Sequence, residues 1–214
     1  MTQNADSVGR YSDLSPPYAT IVADPPWPYP TAFGQGDGPP RTVKRDGTLA
    51  RGTAQMGYGV MTMADLILMP VEYLADRNAH LYLWTTNAFV HEAYCLAGTW
   101  GFRAKSLLTW TKTHQDDPGR VSMKTGAHFR GATEHVVFGV RGSLPLQAPG
   151  GFPTGYLWPR IGSHSVKPQA FYDLVERVSP GPYLELFARA PRLGWDHWGR
   201  GFEVSPNGSS GTPR

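Results

Sequence analysis

The residues best suited to chemistry are the four of Asp24-Pro25-Pro26-Trp27, which directly follow an apolar, β-branched run from Tyr18 to Ala23. The carboxylate of Asp24 and the backbone carbonyl of Pro25 are acceptors that could each take one N–H of an aromatic amine. Such an amine is a poor nucleophile because its lone pair is delocalised into the ring. Two rigid acceptors would draw the hydrogens out of plane and aim the lone pair at an electrophile. The prolines suit this task because they fix φ and carry no competing N–H.

Trp27 completes this motif with an aromatic ring that could stack on a nucleobase such as adenine. Stacking contributes roughly 1–3 kcal/mol per base, and it would help to hold a nucleotide flipped into a pocket. The alternative interpretation is structural, because Asp-Pro-Pro is also a common turn sequence and Trp a common core residue. The position directly after a buried strand favours function, since sites gather where such strands end.

The rest of the chain predicts the elements that must position this motif. Strands and helices alternate, which indicates an α/β sandwich. Two of the strands, separated by a polar stretch, are typical of a long-looped antiparallel pair. The predicted strands are Tyr18 to Ala23, His80 to Trp84, Ser106 to Lys112, Glu134 to Arg141 and Tyr183 to Phe187; the predicted helices are Thr62 to Asp76, interrupted at Pro70, Asn87 to Trp100, and Pro168 to Val178.

The length of 214 residues predicts one domain with a substantial core. We assign that domain to residues 15–203 and expect disordered tails at 1–14 and 204–214, which are polar or rich in Ser, Gly and Pro. Residues 31–57 form a long basic loop with no apolar periodicity. Its cations suit a clamp on a nucleic-acid backbone, whereas its glycines suit disorder equally well.

Composition limits the possible classes of function. The 20 Lys and Arg against 17 Asp and Glu permit a polyanionic partner without requiring one. A single cysteine, Cys95, excludes an internal disulfide framework, and the seven histidines lack metal-ligand spacing, so we expect no metal. There is no leader sequence and no apolar run approaching the ~20 residues of a membrane span. We therefore expect a cytoplasmic protein without a membrane partner.

Several further motifs follow the first in an order that resembles the MT-A70-like adenine methyltransferases, a branch of the β-class amino-methyltransferases. The resemblance covers about residues 18 to 203. After Asp24-Pro25-Pro26-Trp27, it rests on Tyr58-Gly59-Val60-Met61-Thr62, Leu81-Tyr82-Leu83-Trp84, Thr109-Trp110-Thr111-Lys112, Glu134-His135, Ser163 to Pro168, Ser179-Pro180-Gly181 and Glu185-Leu186-Phe187-Ala188-Arg189.

The resemblance implies a Rossmann-like methyltransferase sandwich. Its sheet would have seven strands, which are mostly parallel and include one antiparallel strand. The catalytic strand would come early in the chain and the cofactor strand late. It also implies methyl transfer from S-adenosyl-L-methionine to the exocyclic amine of adenine in nucleic acid, without a metal. We favour a site-specific DNA methyltransferase, because the chain is compact and has no evident RNA module. The alternatives are an RNA adenosine methyltransferase and a catalytically silent nucleic-acid-binding or regulatory member.

The resemblance also assigns roles to individual residues. The catalytic motif would be Asp24, Pro25, Pro26 and Trp27, and the substrate would contact Tyr58, Lys112, Arg130 and Glu134. The cofactor would contact Asp24, Lys167, Glu185, Phe187, Arg189 and Arg200. His128, Arg130, Glu134 and His135 would lie on a loop gating the pocket.

Each of these roles has a plainer alternative. Lys167 could be a solvated lysine, Glu185 and Arg189 could close the strand end as an ion pair, and the gating loop could be a polar hairpin without a function. The sequence also departs from the family pattern, because Arg200 follows Gly199 where the family usually has Asn. That departure puts the ribose contact of Arg200 in doubt.

Overall fold

Seven strands of the described residues form a single sheet. The computed structural model describes residues 14–28, 61–123, 128–148, 151–160 and 166–199. The strand order across the sheet is β5-β3-β4-β2-β1-β6-β7. The strands are β1 Tyr18–Ala23, β2 Ala75–Thr85, β3 Arg103–Thr113, β4 Thr133–Arg141, β5 Gly155–Pro159, β6 Tyr183–Leu186 and β7 Trp195–Trp198.

Six of these strands run in one direction, and β4 runs against them. β1 pairs in parallel with β2 and β6, β6 with β7, and β3 with β5. β4 is antiparallel to both of its neighbours, β2 and β3. The predicted fold class is thereby confirmed: an α/β, Rossmann-like sheet of seven strands, mostly parallel, with one antiparallel strand.

Two of the four described α-helices cover opposite faces of the sheet. The helices are α1 Met63–Ile67, α2 Val71–Leu74, α3 Val90–Thr99 and α4 Gln169–Val178. α3 packs against β2, β3 and β4. α4 lies on the other face, where its apolar side joins the strands in one buried cluster. That cluster contains Val22, Tyr82, Trp84, Trp110, Val136, Phe171, Tyr172, Val175, Val178 and Trp195.

The topology makes the carboxyl end of β1 a point where the strand order reverses. The chain leaves β1 towards β2 on one side, and it returns through α4 to place β6 on the other side of β1. In open α/β sheets, ligands bind in the crevice outside the carboxyl ends of strands at such a point. Asp24, the first residue after β1, occupies this position, and its backbone N–H lies 3.4 Å from the Leu186 carbonyl at the end of β6.

The chain divides into two compact units, of which Pro26–Met69 is the smaller. In its described part, the Pro26 carbonyl accepts a hydrogen bond of 3.2 Å from the Met61 N–H, and Trp27 is buried. α1 begins with a capping box: the Thr62 hydroxyl accepts from the Asp65 N–H, and the Asp65 carboxylate accepts from the Thr62 N–H. This reciprocal pair satisfies two backbone donors that a helix start leaves open.

Most predicted elements are observed, and the differences are the bounds of some elements and two strands that were not predicted. The predicted bounds of β1 are those observed, and Pro70 separates two helices as expected. The prediction of helix at Ala75 and Asp76 is wrong, because both belong to β2. Two strands, β5 and β7, were not predicted, and β6 ends one residue early, before Phe187. The predicted tails and basic loop lie outside the described residues, apart from Leu14.

No helix in the described ranges combines the length and the apolar character that crossing a bilayer requires.

Candidate active site

The carboxylate of Asp24 lies between two cations at the carboxyl ends of β1 and β6. Its Oδ1 atom is 3.1 Å from the Lys167 Nζ, and its Oδ2 atom accepts a hydrogen bond of 3.2 Å from Arg189 Nη2. The side chain of Asp24 is 17% exposed, so the carboxylate reaches solvent while both oxygens are held. The orientation of Asp24 is therefore fixed by charge-assisted contacts from two different segments of the chain.

Glu134 extends this arrangement across the sheet to β3. Its Oε2 atom accepts a hydrogen bond of 2.8 Å from Lys167, and its Oε1 atom accepts one from Lys112. The pairing register explains the second contact, because Glu134 lies opposite Trp110 and therefore diagonal to Lys112 on the same face. The result is a continuous ionic chain, Lys112–Glu134–Lys167–Asp24–Arg189, with one more cation than carboxylates.

Two tryptophan rings form the floor beneath this ionic chain. The Lys167 ammonium lies 4.4 Å from the ring centroid of Trp84, and the Lys112 ammonium lies 4.9 Å from that of Trp110. The two rings pack edge to face, 5.9 Å apart, on β2 and β3. Cations above aromatic faces are stabilised by the ring quadrupole, so these tryptophans help to keep ammonium groups in a largely buried position.

The ionic chain shifts the ionisation of its members. Burial by itself would raise the pKa of Glu134, but the positive charges of Lys167 and Lys112 outweigh burial and lower that pKa to about 2. Burial by itself would lower the pKa of Lys167, but the carboxylates of Asp24 and Glu134 outweigh it and raise that pKa. Both groups are thus charged at neutral pH.

A third carboxylate, Glu185, points from β6 towards α4. Its Oε1 atom accepts a hydrogen bond of 2.6 Å from the Tyr172 hydroxyl, and the Arg192 guanidinium lies 3.6 Å from the centroid of the Tyr172 ring. Burial raises the pKa of Glu185, and the charge of Asp24 adds to this effect, against the smaller influence of the Tyr172 hydroxyl and the arginines. Glu185 thus lies in the electrostatic neighbourhood of Asp24.

The segment after β6 has an unusual backbone. Phe187 has a φ of 65°, in the left-handed region that a non-glycine residue rarely adopts. Its ring packs edge to face on Trp198, with centroids 5.5 Å apart. Gly199 permits the close approach of the two segments, because a Cβ atom there would lie 2.4 Å from the Ala188 carbonyl oxygen. Strained residues of this kind cluster at ligand sites.

The structure brings together five of the site residues predicted from the sequence. Asp24, Lys112, Glu134, Lys167 and Arg189 are joined in the ionic chain. The solvated-lysine alternative for Lys167 is wrong, because its side chain is only 9% exposed.

The other predicted residues have different placements. Pro25 is buried directly after Asp24, while Pro26 and Trp27 belong to the smaller unit. Arg130 is exposed in the segment before β4. Tyr58 and Arg200 lie outside the described residues.

The prediction that Glu134 and His135 lie on a loop is wrong, because both are in β4. The His135 side chain hydrogen-bonds through Nδ1 with the Thr109 hydroxyl, at 3.0 Å, and through Nε2 with Asn87 Oδ1, at 2.5 Å. His128, by contrast, is exposed outside the strands, as predicted.

Trp84, Trp110 and Tyr172 are site residues that the sequence prediction missed. A sequence signal was available for Trp110, because Trp110 and Lys112 are two residues apart in a strand and their side chains therefore lie on the same face of the sheet. No comparable signal exists for Tyr172, because its contact with Glu185 depends on how α4 lies across the sheet.

Comparisons with known proteins agree with this architecture. A sequence model of the MT-A70 family matches residues 18–201. The type II methyltransferase M.MunI of a Mycoplasma species is 29% identical over 192 residues, which are 85% of this chain and 76% of that relative. The human N(6)-adenosine-methyltransferase catalytic subunit METTL3 is 27% identical over 187 residues, which are 84% of this chain and 27% of METTL3.

A third relative is the N(6)-adenosine-methyltransferase non-catalytic subunit METTL14 of Xenopus tropicalis. It is 28% identical over 148 residues, which are 63% of this chain and 32% of METTL14. The chain thus spans most of M.MunI but about a quarter to a third of the two METTL subunits. Since the family match extends from β1 to the end of β7, the chain belongs to the MT-A70 family of S-adenosylmethionine-dependent N6-adenine methyltransferases.

Proposed function

We propose that this chain transfers a methyl group from S-adenosyl-L-methionine to the exocyclic amine of adenine in nucleic acid. The observation that carries the proposal is the carboxylate of Asp24, held through both oxygens at the reversal point of the strand order. A carboxylate fixed in this way suits a reaction whose main demand is the alignment of a weak nucleophile.

Asp24 and the Pro25 carbonyl are the proposed acceptors of the two amine hydrogens. The contacts with Lys167 and Arg189 leave room for this, because each carboxylate oxygen offers two lone-pair sites and each of these contacts uses one. The amine lone pair would then be free to attack. After transfer, the nitrogen loses one proton, which Asp24 or a water molecule takes up.

The charges of the ionic chain suit the methionine part of the cofactor, which carries one carboxylate and one ammonium group. Lys167 and Arg189 are the proposed partners of the carboxylate, and Asp24 is the proposed partner of the ammonium. Glu185 and Phe187 are proposed to lie along the same molecule, and Arg200 to contact its ribose. When bound, the cofactor supplies an electrophilic methyl group on a positively charged sulfur.

Lys112, Glu134 and Arg130 are the proposed substrate side of the site, with Trp27 and Tyr58 as walls of the adenine slot. Glu134 accepts from Lys112 through one oxygen and from Lys167 through the other, so it also holds both lysines in place. We propose DNA rather than RNA as the substrate, because the chain is compact and spans most of a type II methyltransferase. With a single cysteine, Cys95, it suits a reducing cytoplasm.

A second candidate is a catalytically silent, nucleic-acid-binding member, because a non-catalytic subunit is among the relatives. The intact acceptor at Asp24, supported by two cations, favours the active form. The two candidates differ in one measurement: the purified protein is incubated with labelled cofactor and with duplex DNA, single-stranded DNA or RNA, and the digest is examined for N6-methylated adenine. Cofactor binding without label in any of these substrates would contradict the proposed activity.

Replacing Asp24 tests the mechanism. Asp24→Asn should lower kcat by roughly a hundredfold or more, since it removes a preorganised charged acceptor of the transition state. The cofactor Kd from calorimetry should rise by a smaller factor, because the ammonium loses a charged partner while Lys167 and Arg189 remain to bind the carboxylate. Glu72→Gln is the matched control, because it neutralises a 57% exposed carboxylate that is paired with Arg141. Arg141 is the last residue of β4 and lies at the end of the sheet away from Asp24. Equal turnover in both variants would show that Asp24 does not have the proposed role.

A further inference from the structure

The connection between β3 and β4 returns to the site beside Lys112. We call residues 114–132 the β3–β4 loop. The Lys112 N–H donates to the Ala132 carbonyl at 2.8 Å, and the Lys112 carbonyl accepts from the Ser122 N–H at 2.7 Å. The middle and the carboxyl end of this loop are therefore fastened to the backbone of a residue in the ionic chain.

Phe129 is the most exposed aromatic side chain of this loop. Its ring is 93% exposed, between His128 and Arg130, which are also exposed. Phe129 lies three positions before Ala132, so its Cα atom lies within about 11 Å of the Ala132 Cα atom. An aromatic ring in solvent at this short distance from the ionic chain loses apolar contacts that a partner could supply.

The neighbours of Phe129 indicate the chemistry of that partner. The loop also exposes Val121 and Met123. Arg120 is paired with Asp116 and Asp117 in the first described stretch, 114–123, whereas the second described stretch, 128–132, contains Arg130 and no carboxylate. Aromatic and apolar side chains interleaved with cations form the surface on which single-stranded nucleic acid lies, with bases on the rings and phosphates at the cations.

We propose that Phe129 stacks on a base next to the target adenine, with Arg130 contacting the adjoining phosphate. This inference rests on the proposed function, and it adds a residue that holds the strand while the target base is out of its stack. A flipped or single-stranded adenine leaves its neighbour with one uncovered face, and Phe129 supplies a ring for that face.

The test measures binding of a fluorescein-labelled single-stranded oligodeoxynucleotide of mixed sequence by anisotropy, at several salt concentrations. Phe129→Ala should weaken binding roughly 5- to 100-fold without changing the salt dependence, whereas Arg130→Ala should reduce the slope of log K against log salt by about one. Phe129→Trp should bind at least as well as the native protein, and Phe129→Leu should bind like Phe129→Ala.

Tyr73→Ala is the matched control, since Tyr73 is an aromatic residue that is 83% exposed on α2, before the start of β2. Equal binding by Phe129→Ala and Tyr73→Ala, or near-native binding by Phe129→Leu, would overturn the stacking contact. A change of oligomeric state in Phe129→Ala with unchanged binding would assign the ring to a protein contact instead. Methyl transfer by the native protein is scored separately: a protein that binds but does not methylate contradicts the proposed function alone, and one that binds no nucleic acid contradicts both.

Discussion

Replacing Glu134 with glutamine should remove a large part of the acid sensitivity of this protein. The two lysines lower the pKa of Glu134 from 4.5 to about 2. At ~1.4 kcal/mol per pKa unit, this difference corresponds to about 3 kcal/mol of free energy of unfolding. Because the folded-state pKa is the lower one, the unfolded chain binds the proton first. The stabilisation is complete above about pH 5 and is lost as the pH falls towards about 2.

The measurement is urea unfolding of the native protein and of Glu134→Gln across this pH range. The native protein should lose about 3 kcal/mol more than the variant between the two ends of the range. Other carboxylates titrate in both proteins and cancel in the comparison. Glu72→Gln provides the control, because an ion pair with an exposed carboxylate contributes only about 0–1 kcal/mol.

Parallel pH profiles for Glu134→Gln and the native protein would refute this reasoning. They would mean that Glu134 is not held between Lys112 and Lys167 in solution. A variant that is less stable at neutral pH but has a flatter acid profile agrees with it, because Lys112 then loses its carboxylate partner while the titrating group is gone.

Two further predictions concern residues outside the ionic chain. Gly199→Ala should lower the free energy of unfolding by about 1–3 kcal/mol and weaken cofactor binding, since its Cβ atom would press on the Ala188 backbone. The control is Gly98→Ala on α3, where no atom lies within 4 Å of the added Cβ. It should be neutral or stabilising in the same urea unfolding experiment. Burial lowers the pKa of His80 below its ordinary value of 6.5. The stabilisation that comes from its neutral form is therefore fully present above pH 6.5 and is lost as the pH falls below that value. His80→Gln should therefore flatten the urea-derived stability profile just below pH 6.5, and an unchanged slope there would count against a neutral, hydrogen-bonded His80.

The strand whose bounds could be predicted from the sequence is β1, whose side chains are buried on both faces. β1 is an uninterrupted apolar run that ends at Asp24-Pro25, so its pattern and its end are both local. β5 and β7 are short edge strands. β5 is bounded by Gly155 and Pro159, which are typical of loops, and tertiary pairing overrides that local signal.

The five members of the ionic chain could be predicted from motifs, but their contacts could not. Lys112 and Glu134 are on different strands, and their meeting depends on the register that places Glu134 opposite Trp110. Lys167 was compatible with a solvated lysine, because a lysine before a helix carries no local sign of burial. Its position between Asp24 and Glu134 follows from the crossing of α4 over the sheet.

The buried charges of the ionic chain, at the carboxyl ends of the parallel strands, favour a role in binding over a role in stability. Removing charged groups from water costs several kcal/mol per ion, and apolar side chains of similar volume are often as stabilising as a buried ion pair or more so. Glu134 and Lys167 are nevertheless both largely buried, and tryptophan rings rather than solvent lie under the two lysines. The folded protein thus already holds these charged groups at the strand end where Asp24 is proposed to accept the hydrogens of an amine.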